Sequence, residues 1–281
     1  MSYDKIKSHA KINLVLNIIK KVSSFHQIES IVAFIDLHDI IFIKRIKSKK
    51  HIISFTGKFS KNIGIKNTVS ELLGILEKKK LLNNQKFQIN INKRVPIKAG
   101  LGGGSMNAAN ILKYLIKKRI IKTTKKKLVE ISKLIGSDVV LGLNSTNSIL
   151  TSKNEIKRFT NCKKFYTLIV KPNFGCSTRY MYSAVKKFNV AKLNKPNKKM
   201  FNLDYTKKMN NSLEPIALSK YPILKKFKLY LESLSKPIFV RMTGSGSALV
   251  AYFQSKKGCE DVRKQFIKKY KNYWCITSKT I

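Results

Sequence analysis

The stretch Pro96-Ile97-Lys98-Ala99-Gly100-Leu101-Gly102-Gly103-Gly104-Ser105-Met106-Asn107-Ala108-Ala109 constrains this chain more than any other. Four glycines occupy the five positions 100–104. Ahead of them Phe87, Ile89 and Ile91 alternate with Gln88, Asn90 and Asn92, the period of a strand. Behind them Ala108, Ile111, Leu112, Leu115 and Ile116 form one stripe of a helix predicted over Asn107–Ile120. A glycine bend between strand and helix lets the backbone approach phosphate oxygens. The helix start adds unpaired N–H donors and a favourable dipole. No Lys-Ser/Thr pair follows the last glycine, so this is not a P-loop. Nor is it the dinucleotide fingerprint, whose strand normally opens a parallel βαβ unit.

The remaining pattern is α+β. Ile12, Leu14, Leu16 and Ile18 alternate with Lys11, Asn13 and Asn17, predicting a half-buried strand with Lys11 and Asn13 on one face. Ile40–Lys44 reads as a further strand. Val69, Leu72, Leu73 and Leu76 have helical spacing, with Asn67 and Thr68 as candidate caps. A third helix is expected after Thr124, burying Leu128, Ile131 and Leu134 and stopping at Gly136. Beyond residue 155 a strand is predicted at Tyr166–Val170, then a surface connection over Ala191–Lys199. Helices follow near Met209–Ala217 and Ile223–Leu234. Strands Ile238–Met242 and Ala248–Phe253 flank the turn Thr243–Ser247 as a hairpin, and a last helix and strand close the chain. No repeat is visible. The expected architecture is two lobes, 1–155 and 156–281.

Composition narrows the setting. With 43% hydrophobic residues over 281, the chain is long enough for real cores. No apolar run nears the ~18–20 residues of a membrane span. The start, Met1-Ser2-Tyr3-Asp4-Lys5, lacks the apolar core of a secretory signal, so a cytoplasmic protein without membrane contact is expected. The net charge is +44, from 58 Lys+Arg against 14 Asp+Glu. Such a field attracts polyanions. The cations are scattered, however, as in Lys78-Lys79-Lys80, Lys125-Lys126-Lys127 and Lys268-Lys269, which reads as a residue bias rather than a nucleic-acid patch. Anionic small molecules are the expected partners, taken up by a monomer or a homodimer. The four cysteines show no CxxC pair and no zinc spacing, and are read as reduced apolar residues.

Pro-x-x-x-Gly-Leu-Gly-Gly-Gly-Ser-x-Asn-Ala-Ala resembles the phosphate loop of the GHMP kinases, and most closely that of their diphosphocytidyl-methylerythritol branch. Further resemblances follow in chain order: Ala10-Lys11-Ile12-Asn13-Leu14, Phe25-His26, Gly136-Ser137-Asp138-Val139, Asn211-Ser212-Leu213-Glu214 and Met242-Thr243-Gly244-Ser245-Gly246-Ser247. They span nearly the whole chain. The resemblance implies a two-lobed fold, with an N-terminal lobe of the ribosomal-protein type and a ferredoxin-like C-terminal lobe. It implies ATP-dependent phosphorylation of the 2-hydroxyl of a cytidine-diphosphate-linked erythritol, with Mg²⁺.

By the same resemblance Asp138 accepts the substrate hydroxyl proton, and Lys11 sits beside it and stabilises developing charge. ATP falls to Asn67 on the adenine side and to Pro96, Lys98, Gly100, Leu101, Gly102, Gly103, Gly104 and Ser105 at the phosphates. Ser105 is also the protein group suited to meet Mg²⁺. Asn13, Phe25, His26, Thr178 and Tyr182 fall to the substrate, His26 reading the base with Phe25 and Tyr182 on its two sides. Taken singly, Asp138 reads as a helix cap, Lys11 as a solvated strand residue, and Phe25 and Tyr182 as core. Departures from the family pattern are His9 for Pro, Met106 for Ser or Ala, Val140 for Pro, Ser24 for Gly, and Ser152-Lys153-Asn154-Glu155 for a Gly-x-Gly-Glu segment. Homoserine or mevalonate kinase activity is one alternative. RNA binding is another, suited to the charge and to the ribosomal-protein likeness that the resemblance implies for the N-terminal half.

Overall fold

A computed structural model describes residues 2–23 and 25–281; Met1 and the Ser24 departure lie outside the described residues. In chain order the elements are β1 (Asp4–Val22), β2 (Phe25–Ile46), β3 (Ile52–Thr56), α1 (Thr68–Lys78), β4 (Lys86–Asn92), α2 (Gly103–Lys117), α3 (Lys125–Ile135), α4 (Ser137–Gly142), β5 (Asn147–Leu150) and β6 (Ile156–Phe159). Then come β7 (Tyr166–Lys171), α5 (Thr178–Ser183), α6 (Leu203–Lys207), α7 (Glu214–Lys220), α8 (Pro222–Glu232), β8 (Phe239–Met242), β9 (Leu249–Phe253), α9 (Lys256–Lys269) and β10 (Trp274–Lys279).

Two compact units arise from interleaved stretches. One holds residues 1–10, 37–97 and 102–145; the other holds 11–36, 98–101 and 146–281. Chain order, by contrast, gives the contiguous lobes 1–155 and 156–281.

In the first unit the later half of β2 pairs antiparallel with β4, Ile40 opposite Asn92, and β4 pairs parallel with β3. Helices α1, α2 and α3 cover this sheet, and Val69, Leu72, Phe87, Ile89, Ile111, Leu115 and Ile131 form a shared core. Asn67 caps α1: its Oδ1 accepts from the amides of Val69 and Ser70, and the Ser70 hydroxyl accepts from the Asn67 amide. Thr124 caps α3 and Gly136 ends it. Leu134, expected in the core, is 64% exposed, and Ile135 is buried in its stead, because the buried stripe runs through 128, 131, 132 and 135 at helical spacing.

In the second unit the start of β2 pairs with β5, and β5 with β6. A separate antiparallel sheet has the order β10-β7-β9-β8. With helices between β7 and β8 and α9 between β9 and β10, this is the ferredoxin-like βαββαβ pattern. Its core gathers Leu168, Val170, Leu224, Phe227, Leu231, Val262 and Phe266.

Four readings are corrected. β1 is buried on both faces, not one: Lys11, Asn13 and Asn17 are as inaccessible as Ile12 and Leu14, because the polar side chains are hydrogen-bonded. Helix α2 begins at Gly103 rather than Asn107. The stretch 191–199 is not all surface, since Leu193 is wholly buried. Residues 209–213 are not helical, because the backbone of Asn210 and Ser212 bonds to Leu16 of β1.

Candidate active site

In the first unit the glycine-rich segment becomes the start of α2. Gly102 is left-handed (φ 67°) and no side chain caps the helix, so the first-turn N–H groups have no side-chain acceptor. Gly103 lies close over Val95 and Lys93, and Gly104 over Thr68, whose hydroxyl donates to the Gly104 carbonyl at 2.9 Å. Helix α4 packs against α2 where Gly142 meets Ala109 and Met106; a Cβ on Gly142 would stand 2.6 Å from that of Ala109. This close approach brings the α4 start beside the α2 start. The Ser105 hydroxyl is 3.9 Å from where a Gly136 Cβ would sit, and Asp138 lies in the first turn of α4.

Below the glycines lies a group that sequence reading missed. Asp39 is wholly buried and accepts from the amides of Arg94 and Val95, both at 2.8 Å, and from Asn107 Nδ2 at 3.0 Å. It also pairs with the buried Lys93 ammonium. One carboxylate thus ties both flanks of the glycine segment together. The available signal was an Asp set in the apolar run Leu37 to Ile43. Asn67 spends its side chain on the α1 cap and on the carbonyls of Gly64 and Ile65, which shapes the 64–67 turn. Pro96 is buried and shapes the bend.

In the second unit Lys11 Nζ donates to Asn13 Oδ1 at 2.6 Å, and Asn13 Nδ2 donates to Ser30 Oγ at 2.8 Å. The Asn13 amide donates to Thr243 Oγ1, whose hydroxyl reaches the Gly100 carbonyl at 3.3 Å. Gly100 has φ 74°, and a Cβ there would stand 2.0 Å from the Thr243 carbonyl oxygen, so only glycine fits. Lys98 is exposed with a left-handed backbone (φ 49°), and its carbonyl accepts from Ser247. Leu101 is buried, its carbonyl accepting from the Lys11 amide.

The turn 243–247 is held by Asn211, whose Nδ2 donates to the carbonyls of Met242 and Gly244. Glu214 accepts from the Met242 amide and pairs with Lys228. These bonds give a structural reason for the Asn211–Glu214 motif.

His26 and Tyr182 rings lie 5.3 Å apart, tilted by 43°. Burial, and then the charge of Lys21, lowers the His26 pKa from 6.5, so its ring is neutral at pH 7. Phe25 is 77% exposed and free to offer a face. Thr178 shares a hydrogen bond with Ser245 at 2.9 Å, joining the start of α5 to the turn.

Among the described residues no cluster of three His, Cys, Asp or Glu side chains forms a metal cage. Mg²⁺ does not require one. It is commonly bound by one or two carboxylates plus substrate phosphates, and keeps several waters. The Ser105 hydroxyl, at the uncapped start of α2, fits such a role beside the phosphates.

Comparison with known proteins bears on the fold and the family. Residues 67–149 match the GHMP kinases N terminal domain. A solved structure of 4-(cytidine 5'-diphospho)-2C-methyl-D-erythritol kinase superposes with TM-score 0.77 at 22% identity, covering 98% of this chain and 99% of that one. Homoserine kinase from Cytophaga hutchinsonii superposes with TM-score 0.68 at 15% identity, covering 100% and 97%. The fold is that of the GHMP kinases, and the glycine-rich helix start lies within the matched N-terminal domain. The 4-diphosphocytidyl-2-C-methyl-D-erythritol kinase of Pelagibacter ubique is 53% identical over all 281 residues, covering 100% of both chains. The chain belongs to the 4-diphosphocytidyl-2-C-methyl-D-erythritol kinase family.

Proposed function

We infer that this chain transfers the γ-phosphoryl group of ATP to the 2-hydroxyl of 4-diphosphocytidyl-2-C-methyl-D-erythritol, a step of isoprenoid synthesis by the methylerythritol phosphate route. The observation that carries this reading is the start of α2. Its first-turn amides are opened by a left-handed Gly102, uncapped by any side chain, and neighboured by the start of α4, whose first turn carries Asp138.

Phosphoryl transfer needs positioning and charge neutralisation more than covalent chemistry from the protein. The amides of Gly103, Gly104 and Ser105 bind phosphate oxygens, and Lys98, Gly100 and Leu101 shape the approach. Asp138 accepts the hydroxyl proton. Lys11, oriented by Asn13, provides a fixed ammonium for the charge that develops. Ser105 would meet Mg²⁺ brought in with ATP, and the ion would supply neutralisation of the phosphate charge. Asn67 keeps the adenine-side turn in place.

The nucleoside end distinguishes this reading from homoserine or mevalonate phosphorylation. Neutral His26 has one donor and one acceptor for a cytosine edge, Tyr182 touches that ring, and Phe25 offers an exposed face. Thr178 meets the substrate beside the turn 243–247. Residues 1–155 then carry ATP and 156–281 complete the substrate side. The enzyme works in the cytoplasm as a monomer or homodimer on a small molecule; no helix among the described residues is long and apolar enough to cross a membrane.

A coupled assay against the cytidyl substrate, homoserine and mevalonate tests this reading. Turnover is expected with the first alone. Asp138→Asn should lower kcat by about 10²–10⁴ while ATP affinity, followed by nucleotide titration, is retained. Wild-type turnover in that variant removes Asp138 from the mechanism.

A further inference from the structure

Glu29 lies on β2 three residues beyond His26 and is wholly buried. Its carboxylate accepts from the Asn17 side-chain amide at 2.8 Å, from the Lys192 amide at 2.9 and 3.1 Å, and from the Leu193 amide at 2.9 Å. These are uncharged donors, and a buried carboxylate is tolerated only when hydrogen bonds replace its water. Here they come chiefly from the backbone of an otherwise irregular segment.

The same segment is anchored elsewhere. The Asn189 amide donates to the Ile18 carbonyl at 2.7 Å, and Ser212 donates to Asn189 Oδ1 at 2.7 Å. Ser152 donates to Asn194 Oδ1 at 2.8 Å, and Leu193 is wholly buried. Residues 189–194 therefore meet β1 at Ile18 and β2 at Glu29, three residues from His26 at the turn end of the hairpin. Toward the N-terminus the segment continues to Tyr182, the ring against His26.

We propose that Glu29 is a positioning residue for the nucleoside end of the substrate. By holding 189–194 across the hairpin, it fixes the wall beside His26 and Tyr182. This rests on the cytidyl-kinase reading above. Glu29 touches neither substrate; it acts through the segment it holds.

Glu29→Gln keeps the size but presents N–H donors where the Lys192 or Leu193 amide points, so at least one bond is lost. The KM for the cytidyl substrate should rise about tenfold or more, while kcat and the KM for ATP stay within about twofold. Hydrogen exchange at the Lys192 and Leu193 amides should accelerate while the β7 and β9 amides remain protected. Asn189→Ala, which releases the segment from Ser212, should shift the same KM in the same direction, and it decides the question by the same criteria if Glu29→Gln does not fold. An unchanged KM for the cytidyl substrate, or an equal rise for both substrates, overturns the proposal. So does a rise without faster exchange at 192 and 193. Absence of cytidyl-substrate turnover in the wild type overturns the functional reading itself, and is seen before any variant is made.

Discussion

Under the proposed function, the nucleoside end depends on the protonation of one side chain. Burial, then Lys21, lowers the His26 pKa below 6.5. The ring therefore stays neutral above that value and gains its proton only as pH falls through the lowered pKa. Protonation turns the ring's acceptor into a second donor and removes half of its match to a base edge. The KM for the cytidyl substrate should be flat from about pH 6.5 upward and rise at lower pH. His26→Gln, which does not titrate, should show a higher KM without that rise, as read from KM–pH profiles. The family's motifs were legible because their residue types are rarely interchangeable: an imidazole beside an aromatic, an Asp at a helix start, glycines at a bend. Gly100 illustrates the limit. Its glycine identity is visible in sequence, but the reason is the Thr243 carbonyl 2.0 Å from where a Cβ would sit, 143 residues away.

At the scale of elements, the site depends on how α2 is held to the end of β4. Asp39 on β2 bonds to Arg94 and Val95 ahead of the glycines and to Asn107 behind them, with Lys93 balancing its charge. Removing one member leaves an uncompensated charge in a dry environment. Asp39→Ala should cost about 3–5 kcal/mol in urea unfolding. Adding Lys93→Met to Asp39→Ala should recover part of that loss, since the stranded ammonium is removed; strict additivity in the double-mutant cycle would show that the two do not interact. Nothing in local sequence marks Asp39 as a partner of residues 93–107, because strand pairing alone brings it there. Element types were readable from period, and α1 from its cap. Errors fell where tertiary contacts override local pattern: β1 buried on both faces, and 209–213 drawn out against Leu16.

Across the whole molecule the +44 charge acts without regard to fold. An anionic substrate approaches a field whose reach is set by the Debye length, about 30 Å at 0.01 M salt and about 8 Å at 0.15 M. The kcat/KM for ATP should fall severalfold across that range, mainly through association, with kcat little changed. Steady-state rates in a KCl series measure this, and a salt-independent kcat/KM would show that the charge plays no part in capture. Buried thiols are muted by the same packing that forms the cores: burial raises Cys176 to about 11 and Cys259 to about 12. None of the four cysteines forms a disulfide.

Sequence by itself determined the α+β class, the glycine-rich helix start, the ordered family motifs and most of the apolar faces, because these follow from residue type and local period. Tertiary structure alone decided that the compact units are interleaved stretches of chain, that Asp39 and Glu29 are buried anchors, and that the turn 243–247 fits against Gly100. Such contacts join residues far apart in the chain. Their free energy comes from desolvated partners brought together by packing, and no short window of sequence contains both halves.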